Sequence, residues 1–172
     1  MSKILIIYST TDGQTRKICQ RLSELSNRTN DVDVFSIDEI AMIDLETYEK
    51  IILGASIRYG KHSPKVFEFV KKNKDILDTK ETAFFTVNVV ARKKEKNTPE
   101  TNPYMKKFLE LSGWKPDKLG VFAGKIDYPI YGFFDKQIIR LIMLITKGPT
   151  DTSQTYEFTD WDKVEQFSRK VL

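Results

Sequence analysis

Within seven residues, Ser9-Thr10-Thr11-Asp12-Gly13-Gln14-Thr15, the chain gathers four hydroxyl side chains, a glycine and no cation. Thr10, Thr11 and Thr15 offer O–H donors, and Gly13 lets backbone approach a ligand closely. If a helix follows, its first N–H groups lack intrahelical partners and its dipole presents a positive end, so an anion seated there gains from both. The segment lacks the Gly-Lys-Ser/Thr ending of a nucleoside triphosphate loop and the spaced glycines of a dinucleotide fingerprint. Hydroxyls without an obligatory lysine suit a phosphate monoester held by neutral donors. Asp12 is unwelcome beside such an anion, so its carboxylate is expected to turn outward or cap a nearby N–H.

Such a loop needs a strand before it and a helix after it. Lys3 to Tyr8 is a short apolar run of the kind that forms a buried parallel strand, and Ile18, Leu22 and Leu25 follow at helical spacing. Further strands are expected at Val32–Ile37, Ile51–Gly54, Ala83–Asn88 and Leu119–Ala123. Helices are expected from Pro64, with Val66, Phe67 and Val70 inward; around Tyr104, Phe108 and Leu111, closed by Gly113; and from an Asp160 cap, with Trp161, Val164 and Phe167 on one face. Alternating strands and helices predict an α/β fold, a five-stranded parallel sheet in the order 2-1-3-4-5 with helices on both faces. Ligands of such sheets bind beyond the carboxyl ends of the strands. Here those ends are Ser9–Thr15, Ala55–Gly60 and Asn88–Arg92.

The 172 residues fit one domain with a full core, spanning 1–172. The formal charge of +4 permits an anionic ligand or membrane surface, but no motif suggests nucleic acid. A single cysteine, Cys19, points to the core and to a reducing compartment. His62 is the lone histidine, so no metal site is expected, and a surface position is favoured over proton transfer. The N-terminus reads directly into a strand with no signal-peptide pattern, and no stretch has the roughly 20 apolar residues of a membrane span. A cytosolic protein is expected, one that could attach to a membrane surface. The segment from about 125 to 155 breaks the alternation: Phe133, Phe134 and the run Ile138–Ile145 are very apolar, with Lys136, Arg140 and Lys147 interspersed. It reads as an insertion after or within the fifth strand, forming an interfacial helix with basic flanks, a lid or a dimer contact.

The run Ile6-Ile7-Tyr8-Ser9-Thr10-Thr11-Asp12-Gly13-Gln14-Thr15 resembles the FMN-phosphate signature of flavodoxins, with Cys19 where the pattern usually has alanine. Gly54-Ala55-Ser56-Ile57-Arg58-Tyr59-Gly60, Val87-Asn88-Val89-Val90-Ala91-Arg92-Lys93, Thr98-Pro99-Glu100-Thr101-Asn102, Thr150-Asp151-Thr152 and Thr159-Asp160-Trp161 are similar to the short, flavodoxin-like, quinone-dependent protoporphyrinogen oxidases. The resemblance implies a flavodoxin-like fold that binds FMN, oxidises protoporphyrinogen IX in successive two-electron steps and passes the electrons to menaquinone or ubiquinone, with an anionic membrane surface as a further partner. It places Ser9 to Thr15 on the FMN phosphate. It makes Ser56, Ile57, Arg58, Tyr59 and Gly60, with Thr86, Val87, Asn88, Val89, Val90 and Ala91, the frame of the ring, and adds Asp151. Arg58, Arg92 and Lys93 are its candidates for porphyrin propionates, and no residue is assigned to catalysis. Arg58 could instead be a solvated arginine, and Arg92 to Lys94 a solvated charge run. The alternatives are a flavodoxin-type electron carrier, against which a pI of about 9.0 argues, and an NAD(P)H-fed FMN quinone reductase. A flavin-free interaction domain would leave the hydroxyl loop unexplained.

Overall fold

A computed structural model describes residues 1–26 and 29–172. The chain runs β1 (Lys3–Ser9), α1 (Gln14–Ser26), β2 (Asp31–Ser36), β3 (Lys50–Arg58), β4 (Lys61–His62), α2 (Pro64–Leu77), β5 (Glu81–Asn88), α3 (Pro103–Ser112), β6 (Lys118–Ala123), β7 (Lys125–Asp127), α4 (Phe133–Ile145), β8 (Thr155–Glu157) and α5 (Trp161–Val171). The main sheet has the order β2-β1-β3-β5-β6, all parallel. This is the expected 2-1-3-4-5 arrangement of the long strands, with one addition. The two-residue β4 folds back antiparallel on the end of β3, pairing Arg58 with Lys61.

Side-chain alternation along the strands divides the core into two layers. Leu5, Ile7, Ile51, Leu53 and Phe84 face α2 and α3, where Val66, Val70, Met105 and Phe108 meet them. Ile4, Ile6, Ile52, Phe85 and Phe122 face α1 and α5, where Ile18, Leu22, Val164 and Phe167 meet them. Cys19 is in this second layer, fully buried, and burial raises its thiol pKa. The cap residues work as their chemistry dictates. Ser63 accepts from the Lys65 N–H ahead of α2, Asn102 from those of Tyr104 and Met105 ahead of α3, and Asp160 from that of Lys163 ahead of α5. Gly113 ends α3 at φ 62°, the left-handed position glycine favours.

Two helix-face expectations are corrected. Leu111, in the last turn of α3, lies beyond the sheet and is 62% exposed. Phe67 is only half-buried, packing edge-on and tilted against His62 and Phe108.

The irregular segment lies between β6 and α5. Its ribbon β7–β8 and helix α4 have their own small core of Ile126, Tyr128, Tyr131 and Met143. Little of α4 is covered: Phe133 is 71% exposed, Phe134 79% and Ile145 73%.

Candidate functional site

Gly13 turns the chain out of β1 at φ 85°, and its N–H donates to Thr10 Oγ1 at 3.0 Å. Lys17 N–H then closes the first helical turn on the Gly13 carbonyl at 3.1 Å. By helix geometry the N–H groups of Gln14, Thr15 and Arg16 face outward from this end. The cavity they border has a volume of about 40 Å³ and brings Thr10, Thr11, Asp12, Gln14 and Thr15 together with Ser56, Ile57, Val87, Asn88 and Val89. Thr15 is fully buried, yet its hydroxyl has no hydrogen-bond partner, and neither does Gln14 Oε1. A buried unpaired polar atom costs about 1–3 kcal/mol. An O–H donor orphaned at a helix N-terminus fits the phosphate of a flavin mononucleotide.

The cleft continues, with a further volume of about 140 Å³, between Ile57–Gly60 and Asn88–Val90. Here Tyr59 and Gly60 are the central residues of a two-residue hairpin turn, both with positive φ, 49° and 74°. A positive φ is uncommon for a bulky residue, and it projects Tyr59 from the hairpin tip, 46% exposed. The opposite loop is a helical turn, Val89–Arg92, and not an extension of β5. It turns because Asn88 Oδ1 accepts from the Ala91 N–H at 3.0 Å. Asn88 is locked in turn: its Nδ2 donates to Thr86 Oγ1 and to Asn102 Oδ1, and Asn102 Nδ2 returns a bond to Asn88 Oδ1. The two loops border the cleft from opposite sides, and these hydrogen bonds brace the Val89–Arg92 side.

His62 stands at the end of this network, 3.0 Å from Thr86 Oγ1 and edge-on to Phe67, Phe84 and Phe108. The expected surface histidine is therefore buried, because α2 and α3 close over it. Burial lowers its pKa to about 4. Unfolded chain takes up a proton below the ordinary value of 6.5 that folded chain refuses until about 4. Stability contributed by neutral His62 is thus full above pH 6.5 and is lost as pH falls toward 4. We predict a loss on the order of 2 kcal/mol between pH 7 and pH 5 that His62→Gln removes, read by urea unfolding across that range. Identical pH profiles would exclude it.

Asp12 borders both cavities, and its carboxylate is engaged by partners the sequence did not suggest. Arg58 Nη1 donates to both Asp12 oxygens at 3.2 and 3.3 Å, and the Tyr131 hydroxyl donates to Asp12 Oδ2 at 2.9 Å. Arg58 Nη2 reaches Asp135 at 3.3 Å, and the Tyr59 hydroxyl also bonds Asp135. The guanidinium lies over the rings of Tyr131 and Tyr59. Burial works against the Arg58 cation, but Asp12 and its neighbours outweigh it and raise its pKa. Burial, reinforced by Asp12, pushes the Tyr131 hydroxyl up to about 12. Arg58 thus fastens the hydroxyl loop, the hairpin and the insertion together.

Other expected residues lie elsewhere. Ser9 and Thr86 are buried in the strands, and Ala91 is buried behind its turn. Arg92 donates to the carbonyls of Val89 and Thr146 and to the Thr146 hydroxyl, tying the slot to the end of α4, and burial lowers its pKa. Lys93 is half-buried and borders neither cavity, and Asp151 is exposed, accepting from Ser153 N–H and hydroxyl. Sequence reasoning missed Lys125, which borders both cavities, and Tyr104 and Tyr131, which border the second. The position of Lys125 just past the carboxyl end of β6 was the available signal.

The flavodoxin domain family model matches residues 5–153. The chain is 45% identical over 170 residues to the protoporphyrinogen IX dehydrogenase [quinone] of Escherichia coli K12, covering 98% of this chain and 94% of the relative. It is 44% identical over 168 residues to the Leishmania major protein of the same name, covering 96% and 73%. Among solved structures, oxidised flavodoxin 1 of Bacillus cereus superimposes with a TM-score of 0.52 at 17% identity over 98% of this chain and 94% of that one. Two-electron reduced Megasphaera elsdenii flavodoxin gives 0.53 at 12% identity over 69% and 84%. The chain belongs to the flavodoxin domain family and, within it, to the protoporphyrinogen IX dehydrogenase [quinone] group.

Proposed function

We propose that the protein is an FMN-dependent protoporphyrinogen IX dehydrogenase that delivers its electrons to a membrane quinone. The observation that carries this reading is the 45% identity over 98% of the chain, which takes in the insertion as well as the flavin loops. When bound, FMN supplies the two-electron chemistry; the chain supplies binding and orientation. Thr10, Thr11, Thr15 and the start of α1 would hold the phosphate. The hairpin and the Val89–Arg92 turn would flank the ring. Lys125, at the edge of both cavities, would place a cation beside it. Tyr131 and Asp135 would join Arg58 in closing the slot from the insertion side.

The test is anaerobic. Protoporphyrinogen IX should bleach the bound flavin, and a menaquinone or ubiquinone analogue should restore its colour. Bleaching by NAD(P)H but not by the porphyrinogen would replace this reading with a quinone reductase, and silence with both with an electron carrier.

The quinone lives in the bilayer, and α4 gives the protein a way to reach it. No described helix is long and apolar enough to cross a membrane. The 13-residue α4 exposes Phe133, Phe134, Leu141, Leu144 and Ile145, with Lys136 and Arg140 among them and Lys147 just past its end. That pattern suits a helix lying in the interface of an anionic membrane, on the cytoplasmic face of the inner membrane. We predict that Phe133→Ser/Phe134→Ser lowers partitioning to phosphatidylglycerol-containing vesicles by about tenfold or more in a sedimentation assay. FMN affinity should be unchanged. Equal partitioning of variant and wild type would make α4 a lid or a contact between copies.

A further inference from the structure

Beyond Gly60 and Tyr104 a second concavity opens, with a volume of about 450 Å³, between the start of α2 and the outer face of α3. It shares those two residues with the flavin slot and no residue with α4. Gly60 has open space on its Cβ side: a Cβ built there would meet no atom within 4 Å. Phe67 and the outward Leu111 make the walls apolar, and His62 is neutral against them. Lys61 and Lys107 stand at the rim, both exposed, and neither pairs with a carboxylate among the described residues. Glu68 is the one acid there, on α2, where its charge also acts on Lys65.

The groove is therefore apolar inside, carries two free cations at its mouth, and opens onto the flavin slot. A quinone is neutral and would leave both lysines without a function. An apolar macrocycle bearing carboxylates matches both the walls and the rim. We propose that this groove seats the tetrapyrrole substrate, with its macrocycle against Phe67, Tyr104 and Leu111 and its propionates at Lys61 and Lys107. One edge then extends past Gly60 to the flavin. The inference rests on the dehydrogenase reading above and adds a division of the site. The substrate enters between α2 and α3, and the acceptor enters from the side of α4.

The test uses FMN-loaded Lys61→Gln/Lys107→Gln and Lys61→Glu/Lys107→Glu, both surface changes outside the flavin slot. Anaerobic flavin reduction is followed against protoporphyrinogen concentration, and reoxidation against a water-soluble quinone. Binding of protoporphyrin IX is read separately from its fluorescence. The glutamine pair should raise the half-saturating porphyrinogen concentration and the porphyrin Kd about tenfold, and the glutamate pair more. The maximal reduction rate and the quinone step should stay unchanged. The dimethyl ester should bind wild type and the glutamine pair alike. Unaltered porphyrinogen and porphyrin binding would overturn the assignment. Slower reoxidation with unaltered reduction would give the groove to the quinone instead. If wild type is not bleached by porphyrinogen at any concentration, the dehydrogenase reading itself fails, a result distinct from either.

Discussion

Replacing Thr15 by valine should weaken FMN binding by about 1.5–3 kcal/mol, roughly 10- to 150-fold in Kd, while the flavin-free protein becomes no less stable. The two effects have opposite signs for one reason. Thr15 is fully buried and its hydroxyl meets no protein partner. In the free protein that group has given up water without recompense, so an isosteric methyl in its place removes a cost. With phosphate bound, the same O–H donates to a charged acceptor, the stronger kind of hydrogen bond. Fluorescence titration of FMN gives the Kd, and urea unfolding with and without FMN gives the two stabilities. Thr11 is a control from the same loop: it borders the cavity but is exposed. Thr11→Val should cost less. Wild-type affinity in Thr15→Val would remove the hydroxyl from the phosphate site, and a large loss of stability without FMN would make its role structural.

The hydroxyl loop was legible in the sequence because everything it needs is local: a strand, a glycine turn and a helix start within a few residues. Of the five long strands, β2 was legible by its alternation and the other four as continuous apolar runs, whereas the two- and three-residue strands β4, β7 and β8 are too short to leave a pattern. The slot was legible only in outline. Arg58 and Asp12 are 46 residues apart, and Tyr131 and Asp12 are 119 apart, so no local pattern records their meeting. His62 was misplaced for the same reason: it is buried by α2 and α3, and its neighbours Phe84 and Phe108 are distant in sequence. Arg92 and Lys93 look alike as a basic run, but only the first reaches the Thr146 carbonyl. Hydropathy could not say whether Leu111 faces core or groove, since a helical stripe does not reveal where the sheet beneath it ends.

The slot also depends on a residue with no side chain. Gly54 pairs with Phe85 across β3 and β5, four residues before Arg58, and the Phe85 ring covers it. A Cβ on Gly54 would lie 2.6 Å from Phe85 Cε2 and 2.8 Å from Cε1. The ring cannot simply step aside. It is fully buried and packs edge-on against Phe122 and Phe167, which pack on each other. Gly120 lies beneath the same cluster, its own Cβ position 2.9 Å from Phe167 and 3.2 Å from Phe85 Cβ. Gly54→Ala should therefore destabilise the protein by about 3 kcal/mol, the upper end for overpacking in a filled core. Where the sheet yields, the end of β3 moves and carries the Arg58–Tyr59 hairpin with it, so FMN affinity should fall as well. Phe85→Leu alone leaves a cavity and should be destabilising too, but Gly54→Ala/Phe85→Leu should be more stable than the sum of the two predicts. A coupling of about 1–3 kcal/mol in that double-mutant cycle, from urea unfolding, would locate the strain at this contact. Strict additivity would mean that the alanine is accommodated elsewhere, and that the hairpin does not owe its position to this glycine.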